Sequence, residues 1–481
     1  MSKKDWEIVI GLEIHVELAT KTKIFCSCTT KFGGKPNSHC CPICMGLPGT
    51  LPVLNEKVLE YAVKAGLALN CEITEYNKFD RKNYYYPDLP KAYQISQLYL
   101  PFAADGRVDI QTEKGEKSIK IHEIHMEEDA GKLIHSDIRG ESYPDYNRCG
   151  VPLLEIVSEP DFRNSEEVIA YLEKIKLIFE YLEISDCKME EGSMRADINL
   201  SVRRTGDELF GKRTETKNLN SFRAIKRAIE YESHRQIELL ERGRSVIQQT
   251  RRWDDDANTG YAMRNKENAD DYRYFPEPDI PPILLTGEYI SNIKNNQPEL
   301  ADEKKRRYIK DYGLSDYDAA ILTTDKILAD FFERTVKESG KPKEAANWLI
   351  VHAMRLMKDN KTVPKELKFC PVTLAGLIKI IGEGKVNRTV GYEIFEMIFN
   401  VGDIDIEKYI SEKNLGIVGD ISAIRGAAIR IIAASPDGVK KYKAGKTKVL
   451  GAFVGQIMRE FKGKADPDIV NEIVLEEIEK N

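Results

Sequence analysis

The sequence has no stretch approaching the roughly 18 uncharged apolar residues of a membrane helix. Its first residues, Met1 to Leu18, contain no long apolar segment of the signal-peptide kind and pass into strand-like alternation at about Trp6. These absences argue against secretion and membrane insertion, and make a reducing cytoplasm the expected compartment. Low-complexity tracts and long internal repeats are also missing. Nor is positive charge in excess. A net charge of −6 argues against a protein that coats nucleic acid through a broad basic surface. What remains is ordinary globular composition, 42% hydrophobic and 31% charged over 481 residues, a length that suggests two to four domains at roughly 150 residues each.

The usual catalytic loops are absent as well. No G-x-G-x-x-G opens a helix after a strand, and no G-x-S-x-G elbow occurs. The nearest approach to a phosphate loop, Ala444-Gly445-Lys446-Thr447, has Lys440 where its first glycine belongs. No Ser-Ser-Lys amidase signature is visible, so glutamine hydrolysis is not expected of the isolated chain. A nucleotide enzyme built from this sequence needs a sheet cradle with carboxylate-held metal.

Cysteine is sparse, nine in 481 residues, yet five fall between Cys26 and Cys44. A disulfide scaffold does not fit a long chain without a secretory signal. Cys26-Ser-Cys28 and Cys41-Pro-Ile-Cys44 form two close pairs that a loop can bring to one tetrahedral ion, and four thiolates suit zinc. Cys40 and His39 are alternative ligands on spacing alone. A closed shell leaves no open coordination position, so the metal would hold a loop and do no chemistry.

Polar residues alternate with apolar ones on several expected strands. From Trp6 to Leu18 the apolar set is Ile8, Ile10, Leu12, Ile14, Val16 and Leu18, which places Glu13, His15 and Glu17 together on the other face. Further strands are expected over 119–126, 151–157 and 195–203. Glu127-Glu128-Asp129 follow the first of these, and Glu155 sits inside an apolar run where it needs a partner or a cation. Arg195, Asp197, Asn199, Ser201 and Arg203 share one face, a mixture suited to metal and phosphate. Helices are expected after the cap Asn164 and over 221–241. The pattern changes character over 260–297, and the Pro276–Pro282 run within it reads as a rigid connector. Helices follow from about 299, with a boundary near 405–415. Lysines cluster at Lys440, Lys441, Lys443, Lys446 and Lys448, then Arg459, Lys462 and Lys464. By composition this is a solvated helical face. The aromatic and basic run from Lys78 to Lys91 reads as a packed, proline-constrained loop.

Longer strings carry a family resemblance. They include Ile10-Gly-Leu-Glu-Ile-His-Val-Glu-Leu18, Cys44-Met-Gly-Leu-Pro-Gly-Thr-Leu-Pro-Val-Leu-Asn55 and Arg81-Lys-Asn-Tyr-Tyr-Tyr-Pro-Asp-Leu-Pro-Lys91. His125-Met-Glu-Glu-Asp-Ala-Gly131, Met189-Glu-Glu-Gly-Ser-Met-Arg195, Thr216-Lys-Asn-Leu-Asn-Ser-Phe222 and Asp271-Tyr-Arg-Tyr-Phe-Pro-Glu-Pro-Asp279 continue the pattern. With these the chain resembles, over essentially its whole length, the B subunits of tRNA-dependent amidotransferases.

The resemblance implies an α+β fold. A glutamine synthetase-like cradle with a zinc loop would occupy 1–295, a helical domain 296–405, and a tRNA-binding helical tail 406–481. It implies ATP-dependent phosphorylation of the side-chain carboxylate of misacylated Glu-tRNA(Gln) or Asp-tRNA(Asn), then amidation by ammonia. A glutaminase A subunit would supply the ammonia, beside a small C subunit. Zinc would be held by Cys26, Cys28, Cys41 and Cys44, Cys41 being preferred because it keeps the C-x-x-C spacing. Glu13, Glu128 and Glu155 would hold Mg²⁺, with Glu127 and Asp197 nearby and His15 as a ligand or an outer partner. Arg195, Arg203 and Lys217 would take phosphate, and Lys440, Lys443 and Lys446 tRNA. A non-catalytic, zinc-containing tRNA-binding scaffold is the alternative.

Overall fold

The computed structural model describes residues 5–136, 140–264, 269–416, 421–461 and 465–480. It separates into two compact units, the first ending at Leu300 and the second starting at Ala301.

The first unit is built on a nine-stranded sheet. In spatial order its strands are Thr259–Arg264, Thr250–Asp254, Thr214–Lys217, Met194–Arg204, Trp6–Glu17, Pro152–Ser158, Gly115–Glu128, Ala103–Thr112 and Glu72–Ile73. All neighbours run antiparallel except 214–217 with 250–254, which are parallel. That pair is joined through the helix Phe222–Glu241, since parallel strands require a long crossover. Strand 6–17 lies near the middle because its even-numbered side chains form a continuous apolar row. Ile10, Leu12, Ile14 and Val16 are fully or almost fully buried beside Ile124, Met126, Leu154, Ile156, Ala196, Ile198 and Leu200. The helices Ser165–Tyr181 and Phe222–Glu241 contribute Val168, Leu172, Ile175, Phe179, Ile225 and Ile229 to the same core. Each such side chain contributes about 1.5–3 kcal/mol of burial.

The expected strands and helices are present with small shifts of their ends. Short elements flank the Pro276–Pro282 run, and of its residues only Pro276 lies in a strand. Thr259–Arg264 closes one edge of the large sheet, and Phe275–Pro276 pairs with Asp80–Arg81. Ile283–Leu284 pairs with Tyr76–Asn77, and Gly287–Asn295 is a helix. Pro276 is compatible with its place because that strand is a sheet edge, where a missing N–H breaks no ladder.

In the second unit, residues from Tyr308 to Ile406 enclose one core, centred on Phe332, Trp348, Leu374, Ile394 and Phe395. A separate core joins Ile424, Phe453, Ile457, Val470 and Val474. The expected boundary at 406 is therefore too early. Gly402 ends a helix as a turn would, but Ile406, Tyr409 and Ile410 on the next helix pack into the preceding core. Among the described residues no helix is long and apolar enough to cross a membrane.

Both long helices of the first unit start at side-chain caps. Asn164 Oδ1 accepts from Glu167 N at 2.9 Å, and Ser221 Oγ accepts from Ala224 N at 3.1 Å. Replacing either residue by alanine is expected to cost about 1 kcal/mol. Reduced hydrogen-exchange protection confined to 165–181 or to 222–241 checks this.

Candidate active site

The odd-numbered face of strand 6–17 is the polar one, and strand pairing extends it sideways. His15 stands opposite Glu155 on one side and Arg195 on the other, and Glu155 stands opposite His125. Two residues along, Glu13 stands opposite Asp197, and Asn199 opposite Glu215. Two acidic triads result. His15, Glu127 and Glu155 offer ligand atoms all within 4.8 Å of one another, and so do Glu13, Asp197 and Glu215.

The first triad is crowded with negative charge. His15 Nε2 lies 3.4 Å from Glu127 Oε1 and 3.8 Å from Glu155 Oε1. Burial and the charge of Glu155 push Glu127 above the usual carboxylate range. Against its own burial penalty, Glu155 is held well below that range by a hydrogen bond from His125 and by the charges of His15, His125 and Lys82. Burial disfavours protonation of His125, but Glu123 and Glu155 on its two nitrogens, at 3.2 and 3.5 Å, raise it to about 10. The two carboxylates of the triad are thus pushed in opposite directions, Glu127 towards holding its proton and Glu155 towards losing it.

In the second triad Lys217 Nζ donates to Asp197 and lies 3.2 Å from Glu215. Asn199 Nδ2 donates to Glu13 Oε1 at 2.8 Å, while the same amide's Oδ1 is buried with no hydrogen bond among the described residues. Three acceptor-only carboxylates beside an unsatisfied acceptor form a donor set suited to a hard, oxygen-seeking cation such as Mg²⁺. Next to the first triad, Arg195 Nη2 donates to Asp129 Oδ2 at 2.7 Å. Glu17, buried against Asp129, is raised to about 8.

Two expected residues lie elsewhere. Glu128 follows Glu127 on one strand and so points to the other side. Its carboxylate is bonded to Lys91 Nζ and Ile95 N, where it lines a cavity of about 60 Å³ with Lys23, Cys44 and Gly150. The structure does not bring it to Glu13 and Glu155. Arg203 stands opposite Glu7, to which it donates, six residues along the strand from Glu13 and so about 20 Å away. Several participants escaped sequence reasoning. Glu215 and Lys217 alternate on the short Thr214–Lys217 strand, a signal too brief to stand out. His125 lay within a recognised string but received no role. Lys82 lay in a run read as a loop, whereas Asp80–Asn83 is a strand.

The cysteine ligands do converge. Cys26, Cys28, Cys41 and Cys44 place their sulfurs within 4.8 Å of one another. Cys40 is outside this group, its sulfur 3.9 Å from Asn147 Oδ1. Against its burial, the Cys44 thiol is brought down to about 4, chiefly by a hydrogen bond from Cys26, then by Cys41 N–H and the Lys23 ammonium. A sulfur already disposed to be a thiolate, with three more at hand, fits a closed zinc shell. In the second unit Lys440, Lys443 and Lys446 are exposed around the Pro436–Lys443 helix and the turn at Gly445, as are Lys441 and Lys448. Lys462 and Lys464 lie outside the described residues.

The chain is similar to known proteins over nearly its whole length. A GatB/GatE catalytic domain matches residues 8–291, and a GatB domain matches 330–478. The B subunit of the aspartyl/glutamyl-tRNA(Asn/Gln) amidotransferase of Lachnoclostridium phytofermentans is 58% identical over 477 residues, 99% of this chain and 100% of that one. Its counterpart in Agathobacter rectalis is 57% identical over 473 residues, covering 98% and 99%. That of Caldicellulosiruptor bescii is 54% identical over 479 residues, covering 99% and 100%.

Elemental analysis of the purified chain is expected to find one zinc. Cys26→Ser or Cys44→Ser should remove it and unfold the loop it closes. Cys40→Ser should leave the metal content intact; loss of zinc in that variant would reassign the ligand.

Proposed function

The chain belongs to the GatB/GatE family, the B subunits of aminoacyl-tRNA amidotransferases, and from that premise we propose that it is the phosphorylating and amidating subunit of a heterotrimeric ligase. The substrate is Glu-tRNA(Gln), Asp-tRNA(Asn) or both, and the phosphoryl donor is ATP. A glutaminase A subunit supplies ammonia and a small C subunit completes the cytoplasmic complex. The sheet serves as a cradle of the glutamine synthetase kind. The supporting observation is the pair of acidic triads on one sheet face, flanked by Arg195 and Lys217.

The reaction needs both features. A side-chain carboxylate is a poor electrophile towards ammonia. When its oxygen attacks the γ-phosphorus of ATP, the bond to the β-phosphate oxygen breaks and ADP leaves. Ammonia then adds to the acyl carbon, phosphate departs, and loss of a proton gives the amide. Glu13, Asp197 and Glu215 hold one Mg²⁺, and Glu155 and Glu127 a second with His15 beside them. Magnesium, when bound, neutralises charge on the phosphoryl oxygens. His125 orients Glu155, Lys217 holds Asp197, and Arg195 offers charge to phosphate from its place beside Asp129. Glu128 leaves the ligand set because Lys91 and Ile95 N occupy its carboxylate. Zinc on the four cysteines keeps the loop after the first strand in place.

Glu13→Gln and Glu155→Gln each remove a charge while keeping side-chain size. Each should slow amidation by the reconstituted complex roughly a thousandfold, with glutamine hydrolysis still measurable. Near wild-type amidation would move the metal site elsewhere. If wild-type complex shows no ATP hydrolysis dependent on misacylated tRNA, the scaffold reading replaces this one.

The tail is proposed to bind the tRNA body through Lys440, Lys443 and Lys446. Deleting the chain from 417 onward, which removes only the last core, is expected to raise KM for tRNA. It should also flatten the salt dependence of binding, because fewer counterions are released. ATP and zinc binding should persist. An unchanged salt slope would make the tail a structural element.

A further inference from the structure

Lys82 lies on the middle strand of a small three-stranded sheet, between Phe275–Pro276 and Tyr93–Ser96. Its neighbour Arg81 points the opposite way and is fully engaged. Arg81 donates to Glu277 at 2.6 and 2.9 Å and to Asp279 at 2.9 Å. The Lys82 ammonium is 5.0 Å from the Tyr272 ring centre, and Tyr84 and Tyr274 pack edge-on against Tyr272 at 5.9 and 6.1 Å. Between Tyr272 and Tyr274 this aromatic wall is tied to the Lys82 strand, since Asn83 Nδ2 donates to Arg273 O at 2.8 Å.

The other cations of the site already have partners. Arg195 is engaged by Asp129, Lys217 by Asp197 and Glu215, and His125 by Glu123 and Glu155. Lys82 has no hydrogen bond or close ion pair to any described residue. Its charge is nevertheless kept: although burial opposes it, Tyr274, Glu155, Glu127 and Tyr84 act on the ammonium and raise its pKa. An aromatic face attracts an ammonium, but by less than the hydration such a group loses on leaving water. A half-buried lysine left in this condition next to an acidic triad is suited to an anion that arrives with the substrate.

We propose that Lys82 is a catalytic residue whose ammonium receives the anionic oxygens of the phosphoryl group as it passes from ATP to the substrate carboxylate. The inference rests on the function proposed above. It adds a cation that touches the transferred phosphoryl from a strand outside the large sheet. A compact point charge with three rotatable donors suits oxygens whose charge is spread over three positions. Lys82 keeps its proton throughout. The bond made is from carboxylate oxygen to phosphorus, and the bond broken is from phosphorus to the leaving ADP oxygen.

The test uses the reconstituted heterotrimer carrying Lys82→Met, Lys82→Gln or Lys82→Arg. Melting temperature and zinc content serve as controls for folding. Single-turnover transfer of labelled γ-phosphoryl to misacylated tRNA is expected to slow about 100- to 1000-fold in the Met and Gln variants. KM for the tRNA should stay within about threefold, and Lys82→Arg should recover about tenfold. Ammonium salts in place of glutamine should not rescue the rate. Transfer close to the wild-type rate overturns the proposal. So does a defect confined to KM, which would place Lys82 on the substrate carboxylate in the ground state. A fall in melting temperature or zinc content in both neutral variants would assign it a packing role and also overturn it. Failure of the wild-type complex to transfer phosphoryl at all would strike the proposed function and not the place of Lys82 within it.

Discussion

Register in the middle of the large sheet is the constraint on which everything else depends. Strand 6–17 pairs with 194–204 along most of its length and with 152–158 over Glu13–Glu17. Successive side chains point to opposite faces, so a slip by one residue would send Ile10, Leu12, Ile14 and Val16 to the polar side. The same slip would bury Glu13, His15 and Glu17 against two helices. The energy that fixes the register is hydrophobic and lies on the even-numbered face. The geometry it fixes is electrostatic and lies on the odd-numbered face. The acidic triads are therefore placed by residues that never touch them.

This division also explains what the sequence reveals. Alternation over Trp6–Leu18 and 195–203 identifies both central strands and the face that Glu13, His15, Arg195 and Asp197 share. The cysteine spacing identifies four sulfurs that do meet. What escapes is mostly carried by pairing over long separations. Glu215 joins Glu13 only because Thr214–Lys217 pairs with the 194–204 strand. Arg203 shares a face with Arg195 yet stands about 20 Å from Glu13, because a shared face is not a shared place. Glu127 and Glu128 look equivalent in sequence, but strand alternation gives them opposite surroundings, Ser96 and His15 for one and Lys91 for the other. Short edge strands such as Phe275–Pro276 escape for another reason. Proline argues against a central strand and says little about an edge.

The charges of the site are arranged so that most find a partner. Arg148 and Arg195 gather on Asp129, and Lys217 bridges Asp197 and Glu215. Burying ions is unfavourable unless partners and hydrogen bonds compensate. Even the triads follow this rule in part: Lys217 serves two carboxylates of one, and His125 serves Glu155 of the other.

The pairing of 6–17 with 194–204 has a consequence for the birth of the protein. Strand 6–17 cannot meet its partner at 194–204 until nearly 200 further residues have been made. At common elongation rates of about 5–20 residues per second, that is a wait of about 10–40 s. Throughout it, a strand with a continuous apolar row lacks its central neighbour, the condition in which nascent chains associate wrongly. Glu13, His15 and Glu17, placed at every second position of that strand, give it a polar face during the wait. The residues that give the finished sheet its polar face would first serve as safeguards of the unfinished chain.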